Sequence, residues 1–234
     1  HHCLVSSAPW VQDWGIPTDE FLKLMDQAVT LGVDRFYFTG GEPFMRKDIA
    51  TLIEAVTEKH GCELIVLTNA TMLEGERAEA VKGLNREKVR FQVSVDGASA
   101  ETNDPIRGKG SFQKAVEGLR FLAGLGFDTS ITTVVTAGNL QELLKITRLS
   151  AEIGVKTQHL MWLHRRGRIV GEEVAQGGSD QRAQANLDFP ESSQLLEVVR
   201  QVKTEADRLG IAVDNVESIK QRVNARPGVK YDLG

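Results

Sequence analysis

The pattern of hydrophobic and polar positions switches repeatedly between two periods. Short runs rich in β-branched and aromatic residues read as strands at 35–40 (RFYFTG), 63–69 (ELIVLTN), 89–96 (VRFQVSVD), 129–136 (TSITTVVT) and 156–163 (KTQHLMWL). Gly, Asn or Asp follows most of them. Between these runs the spacing changes to that of amphipathic helices, at about 18–31, 47–59, 74–84, 111–125, 139–153 and 191–209. In the fourth, Phe112, Val116, Leu119, Leu122 and Leu125 form one apolar stripe. Asn139 followed by Glu142 resembles a capping arrangement at a helix start.

Strands that alternate with helices of this length build βαβ units around a parallel sheet. Five units in series, with no G-x-G-x-x-G after the first strand, favour a barrel or partial barrel over a dinucleotide-binding sheet. In such a barrel the chemistry collects on the loops after the C-terminal ends of the strands. Residues 167–190 break the rhythm with a stretch rich in Gly, Gln, Ala and Ser. This reads as a long loop over the barrel mouth, either functional or disordered. The last residues, VNARPGVKYDLG, read as a linker, which sets an expected core at 1–226 and a linker start at 227–234.

Composition narrows the class. The 234 residues suffice for one substantial core, and 41% hydrophobic with 26% charged residues is ordinary for a globular domain. A net charge of −4 offers no polybasic surface for nucleic acid or membrane. No apolar run approaches the roughly 20 residues of a membrane span, and the first residues lack the form of a signal peptide. The expected location is cytoplasmic. The two cysteines, Cys3 and Cys62, make no disulfide framework, and Cys62 reads as a small buried hydrophobe opening a strand.

Two stretches carry candidate chemistry. Along 89–96, Phe91, Val93 and Val95 alternate with Gln92, Ser94 and Asp96, so one face of the strand is apolar and the other polar. Polar groups facing a barrel interior are costly unless partnered. A ribose at the barrel mouth would offer hydroxyls to Ser94 and Asp96. Alternatively, Asp96-Gly97 is a turn and Ser94 bonds to its neighbours. Residues 38–44, FTGGEPF, end the first strand on Gly40 and Gly41, which let a ligand approach the backbone, with Pro43 fixing the turn and Glu42 supplying a negative charge. The alternative is a plain strand-to-helix connection.

Taken in order, FTGGEPFMRKDI (38–49), VLTNATML (66–73), VSVDGASAETNDPIRGKGSFQKAVEGL (93–119) and ITTVVTAGNLQEL (131–143) resemble the radical S-adenosylmethionine superfamily. The likeness is to its SPASM-bearing branch of peptide- and haem-modifying enzymes. It implies a partial (β/α)6 TIM-like barrel of parallel strands, whose first strand would be missing from this sequence. It also implies a [4Fe–4S] cluster on a C-x3-C-x2-C loop. Here the chain opens HHC, matching the last three positions of C-x2-C, so Cys3 becomes the expected cluster ligand and the sequence an expected fragment cut inside that loop. One thiolate does not hold such a cluster. Possible auxiliary clusters would belong to a missing C-terminal region.

The resemblance further implies that the cluster and S-adenosyl-L-methionine together yield a 5′-deoxyadenosyl radical for hydrogen abstraction. On matching positions, Gly40, Gly41 and Glu42, with Pro43, are expected to hold the methionine amino group. Ser94, backed by Asp96, would meet the ribose or methionine. Thr68 and Asn69 lie near the cofactor, and Ala70 stands where the family usually has Gly. Arg107 would pair with the methionine carboxylate or anchor its own loop. Val134 and Val135 would line the adenine site or belong to the core; Leu160, Met161 and Trp162 are the remaining adenine-wall candidates, with core packing the favoured role for Met161 and Trp162. His159, His164 and Arg165, Arg166 and Arg168 would face an acidic peptide or carboxylated macrocycle, or form a solvated basic surface. His1 and His2 would shield the cluster or have no role. Expected partners are a flavodoxin- or ferredoxin-type reductant and a peptide or small-molecule substrate, without nucleic acid or membrane. Two other classes remain: a non-catalytic S-adenosylmethionine-binding barrel, and an aldolase or isomerase barrel with Glu42 and Asp96 at its strand ends.

Overall fold

In the computed structural model, which describes residues 15–163 and 188–223, six parallel strands form one sheet in sequential order. They are β1 Arg35–Phe38, β2 Glu63–Thr68, β3 Val89–Ser94, β4 Asp128–Val135, β5 Thr157–Trp162 and β6 Ala212–Asp214. The helices are α1 Thr18–Thr30, α2 Ile49–Glu54, α3 Gly75–Lys82, α4 Ala100–Arg107, α5 Ser111–Gly124, α6 Leu143–Ile153, α7 Ser192–Leu209 and α8 Val216–Val223. A π-turn, Ala55–Lys59, extends α2, and short 3-10 turns at Pro43–Met45 and Leu140–Glu142 follow β1 and β4.

Sequential parallel strands require crossovers of one hand, and these put the helices on one face of the sheet. Leu64, Val66, Val89, Phe91, Val93 and Ile131 of the strands accordingly pack with Leu52, Ile53 and Val56 around α2 and with Val116, Leu119 and Leu122 of α5. A second apolar cluster joins Val135 and Leu160 to Leu143 of α6 and to Leu195, Val199 and Val202 of α7. Each fully buried aliphatic side chain contributes about 1.5–3 kcal/mol. The opposite face carries Gln92 and Ser94 of β3, Ser130 and Thr132 of β4, and His159 of β5, with Ser94 in register with Thr132 and Thr132 with His159. This is the inner face.

The expected parallel α/β architecture holds. The five expected strands become six because Ala212–Asp214, three residues long, is too short to show a period. Helices α4 and α8 were also unforeseen, α4 because its segment, AETNDPIR, is polar and contains Pro105. Asn139 does not cap the turn that follows it. Its side-chain carbonyl accepts from the Thr136 N–H (2.8 Å), and its amide donates to the carbonyls of Asp96 (3.0 Å) and Val134 (2.9 Å), tying the β3 and β4 tips together. Cys62 is buried as expected, with its thiol on the Val33 and His60 carbonyls. Cys3, His1, His2, His164, the three arginines 165, 166 and 168, nearly all of loop 167–190 and the linker 227–234 lie outside the described residues.

Candidate active site

The turn after β1 is built from its glycines outward. Gly40 has φ +120°, with open space where a Cβ would stand, so the backbone there is accessible to a ligand. Gly41 is exposed, while Pro43 is buried at the start of the 3-10 turn.

Glu42 faces inward onto protein donors. Its carboxylate accepts from the Thr68 hydroxyl (2.6 Å), the Asn69 N–H (2.8 Å) and the Phe44 N–H (3.2 Å), which clasps the end of β1 to the end of β2. Burial raises its pKa above the usual carboxylate value, and these three hydrogen bonds oppose the rise. The Thr68 hydroxyl in turn accepts from the Ala70 N–H (2.9 Å), and the Asn69 side-chain carbonyl accepts from the Thr71 N–H (2.8 Å) and hydroxyl (2.7 Å).

Beyond the paired residues Thr68 and Val93, the next positions are Asn69 and Ser94, so Ser94 continues the same strand-end row. Ser94 is half-buried on the inner face. On the neighbouring strands the Gln92 amide donates to the Thr132 hydroxyl (2.5 Å). His159 Nδ1 lies 2.6 Å from Asp214 Oδ1, and the Asn215 amide lies 3.1 Å from Nε2 while donating to the Leu160 carbonyl (3.0 Å).

Asp96 departs from the expected arrangement. The strand ends at Ser94, so alternation does not carry through to position 96. The Asp96 side chain is 0% exposed: it accepts from the Val134 N–H (2.9 Å) and lies 2.7 Å from Arg107 Nε. Its N–H donates to the Asn103 side-chain carbonyl (2.9 Å), whose amide donates to Ser111 (2.9 Å). Arg107, the alternative carboxylate partner, is therefore the anchor of its own segment in this structure. Val135 and Leu160 also turn away from the inner face into the α6–α7 cluster. At those heights the inner positions are Val134 and Met161, which are paired in register.

Two residues escaped sequence reasoning. Arg46 and Asp48, within FMRKD, close the back of the turn through contacts described below, and only their spacing after the double glycine marks them. Among the described residues, no group of His, Cys, Asp and Glu is arranged to hold a metal ion. Cys62 lies ahead of β2, away from the strand C-terminal ends.

The fold defines a parallel α/β barrel-type protein, with this row of polar groups at the C-terminal ends of its strands. The sequence profile of the Radical SAM superfamily matches residues 1–163, and the chain belongs to that superfamily. It is 32% identical over 168 residues to an AdoMet-dependent heme synthase of Methanosarcina barkeri, covering 71% of this chain and 47% of the relative. It is 35% identical over 154 residues to the mycofactocin maturase MftC of Mycolicibacterium smegmatis, covering 65% and 38%. The chain thus spans less than half the length of these curated relatives. The crystal structure of Streptococcus suis SuiB bound to its precursor peptide SuiA superposes with a TM-score of 0.71 at 13% identity, over 99% of this chain and 49% of SuiB. Membership implies S-adenosylmethionine and a [4Fe–4S] cluster. Among the described residues no helix is long and apolar enough to cross a membrane.

Proposed function

We propose that this chain is the S-adenosylmethionine-binding core of a radical enzyme that modifies a peptide or a haem-type substrate. The observation that carries the reading is the glycine turn with an accessible backbone at Gly40, set beside Asn69 and the half-buried Ser94 on one inner face. The described residues fit the organic cofactor: exposed backbone at Gly40 and Gly41 suits an ammonium or carboxylate, and the hydroxyl of Ser94 suits a polar group of the ligand. When bound and reduced through the cluster, S-adenosylmethionine supplies a 5′-deoxyadenosyl radical for hydrogen abstraction.

The chain's own residues position and shelter that ligand. Gly40 and Gly41 receive its methionine end, and Ser94 receives its ribose or methionine. Glu42 keeps the turn closed onto β2. Asp96 and Arg107 hold the β3 and β4 tips, so they act behind the ligand, and Val134 and Met161 are the side chains placed for an adenine wall. Cys3 is the proposed cluster ligand. With Cys62 turned away, the remaining ligands and any auxiliary clusters would come from cysteines outside this sequence. A flavodoxin- or ferredoxin-type protein is the proposed electron donor, with a cytoplasmic location. The substrate class rests on the heme synthase and maturase relatives.

The test is anaerobic iron–sulfur reconstitution of the full-length gene product. A brown protein that forms 5′-deoxyadenosine from S-adenosylmethionine and a reductant is the expected outcome. A protein that stays colourless and forms none would overturn the reading and leave a non-catalytic binding barrel.

A further inference from the structure

The turn that carries Gly40 and Gly41 is held from three sides. From β2, Thr68 and Asn69 bond to Glu42. From α3, Arg77 Nε donates to the Phe44 carbonyl (2.7 Å), while the Phe44 ring stacks on Phe91 with centroids 6.3 Å apart. The third side reaches the start of α1. Arg46 grips Asp48 in a two-pronged pair, Nε to Oδ1 at 2.9 Å and Nη2 to Oδ2 at 2.7 Å. The same guanidinium donates to the Ile16 carbonyl through both terminal nitrogens (3.2 and 3.3 Å) and lies over the Phe21 ring at 5.7 Å. Asp48 also accepts from the Thr18 hydroxyl (2.7 Å).

These contacts join the start of α1 to the turn proposed to receive S-adenosylmethionine. A planar five-donor fork satisfies a carboxylate, a carbonyl and an aromatic face at once, which the point charge of lysine does not. Sequence position alone would leave the start of α1 free to move relative to the turn.

We propose that Arg46 and Asp48 are positioning residues for the cofactor, fixing the start of α1 against the turn that holds it. The inference rests on reading that turn as the S-adenosylmethionine cradle. It predicts that loosening the clasp weakens cofactor binding at the cluster more than it weakens the fold. Supporting contacts of this kind are worth about 10-fold or more in affinity at related sites.

The experiment uses the anaerobically reconstituted full-length protein and its R46K, R46M and D48N variants. It measures S-adenosylmethionine affinity, the paramagnetic resonance spectrum of the reduced cluster with and without S-adenosylmethionine, and Tm. The expected result is a wild-type spectrum that changes on adding the cofactor. In R46K and D48N the affinity falls about 10-fold and the spectral change is diminished, with cluster content kept. Wild-type affinity and spectrum in R46K and D48N, with only Tm lowered, would overturn the proposal and make the clasp purely structural. If R46M does not fold, R46K and D48N decide. A wild-type spectrum indifferent to S-adenosylmethionine would instead overturn the cofactor reading itself.

Discussion

Ala70 shows how one residue can record a constraint at a strand end. Its φ of +56° lies in the left-handed region, where a non-glycine residue carries about 1–2 kcal/mol of strain. The resemblance expects Gly at this position, and the backbone angle supplies the physical reason. On the other side of the contact, a Cβ added at Gly118 of α5 would stand 2.5 Å from the Ala70 carbonyl oxygen and 2.8 Å from its Cβ. Gly118→Ala is expected to cost about 1–3 kcal/mol, read as a lower denaturation midpoint in urea. Asp48 makes a separate prediction. The hydrogen bond from Arg46 lowers its pKa from 3.8 to about 2. A pKa depressed in the folded state adds stability above the ordinary value and loses it as pH falls toward the folded one. Unfolding followed as pH falls through this interval, from about pH 5 to about pH 2, should therefore show a steeper loss in wild type than in D48N.

At the scale of elements, the buried network behind β3 and β4 decides stability. Arg107→Met would leave the fully buried Asp96 carboxylate without its cation, at a cost of about 3–5 kcal/mol. Loss of the cooperative thermal transition, or a Tm lowered well beyond that of an exposed control such as K23A, would be the expected reading. The same region shows where sequence patterns stop being informative. The apolar runs of β2 to β5 were legible because one face of each packs on helices. The turn at Gly40 was legible because two glycines punctuate a strand end. Helix α4 was not, since its stability comes from capping and polar contacts: Ser99 and Thr102 form a capping box, and Thr102 bonds to Glu142 forty residues away. Asn139 illustrates the same limit. Its spacing to Glu142 imitates a cap, but its carbonyl oxygen, the atom a cap would use, accepts from the Thr136 N–H and hydroxyl, while its amide reaches the distant Asp96 carbonyl. Partners brought together by the fold leave no periodic trace.

At the scale of the whole molecule, the two faces of the sheet differ in character: one is apolar and packed on helices, and the other is polar. The helix-covered face holds Val93, Ile131 and Leu160, each fully buried, and the inner face holds Gln92, Ser94 and Thr132. Truncating a core residue there removes transfer energy and leaves a cavity, so Leu160→Ala should cost about 2–5 kcal/mol. Ser94→Ala removes one hydroxyl from a half-buried position on the other face and should change stability by no more than about 0.5 kcal/mol. If Ser94 meets the ribose or methionine, the same substitution should weaken S-adenosylmethionine binding about 2- to 10-fold, because a hydrogen bond to a polar ligand in a partly desolvated site is worth about 0.5–1.5 kcal/mol. The pair of variants separates the faces: L160A loses stability first, and S94A loses affinity with its Tm nearly intact. Equal losses of stability in both would mean that the inner face is an ordinary half of the core. Unchanged affinity in S94A would move the ligand contact to the backbone at Gly40 and Gly41.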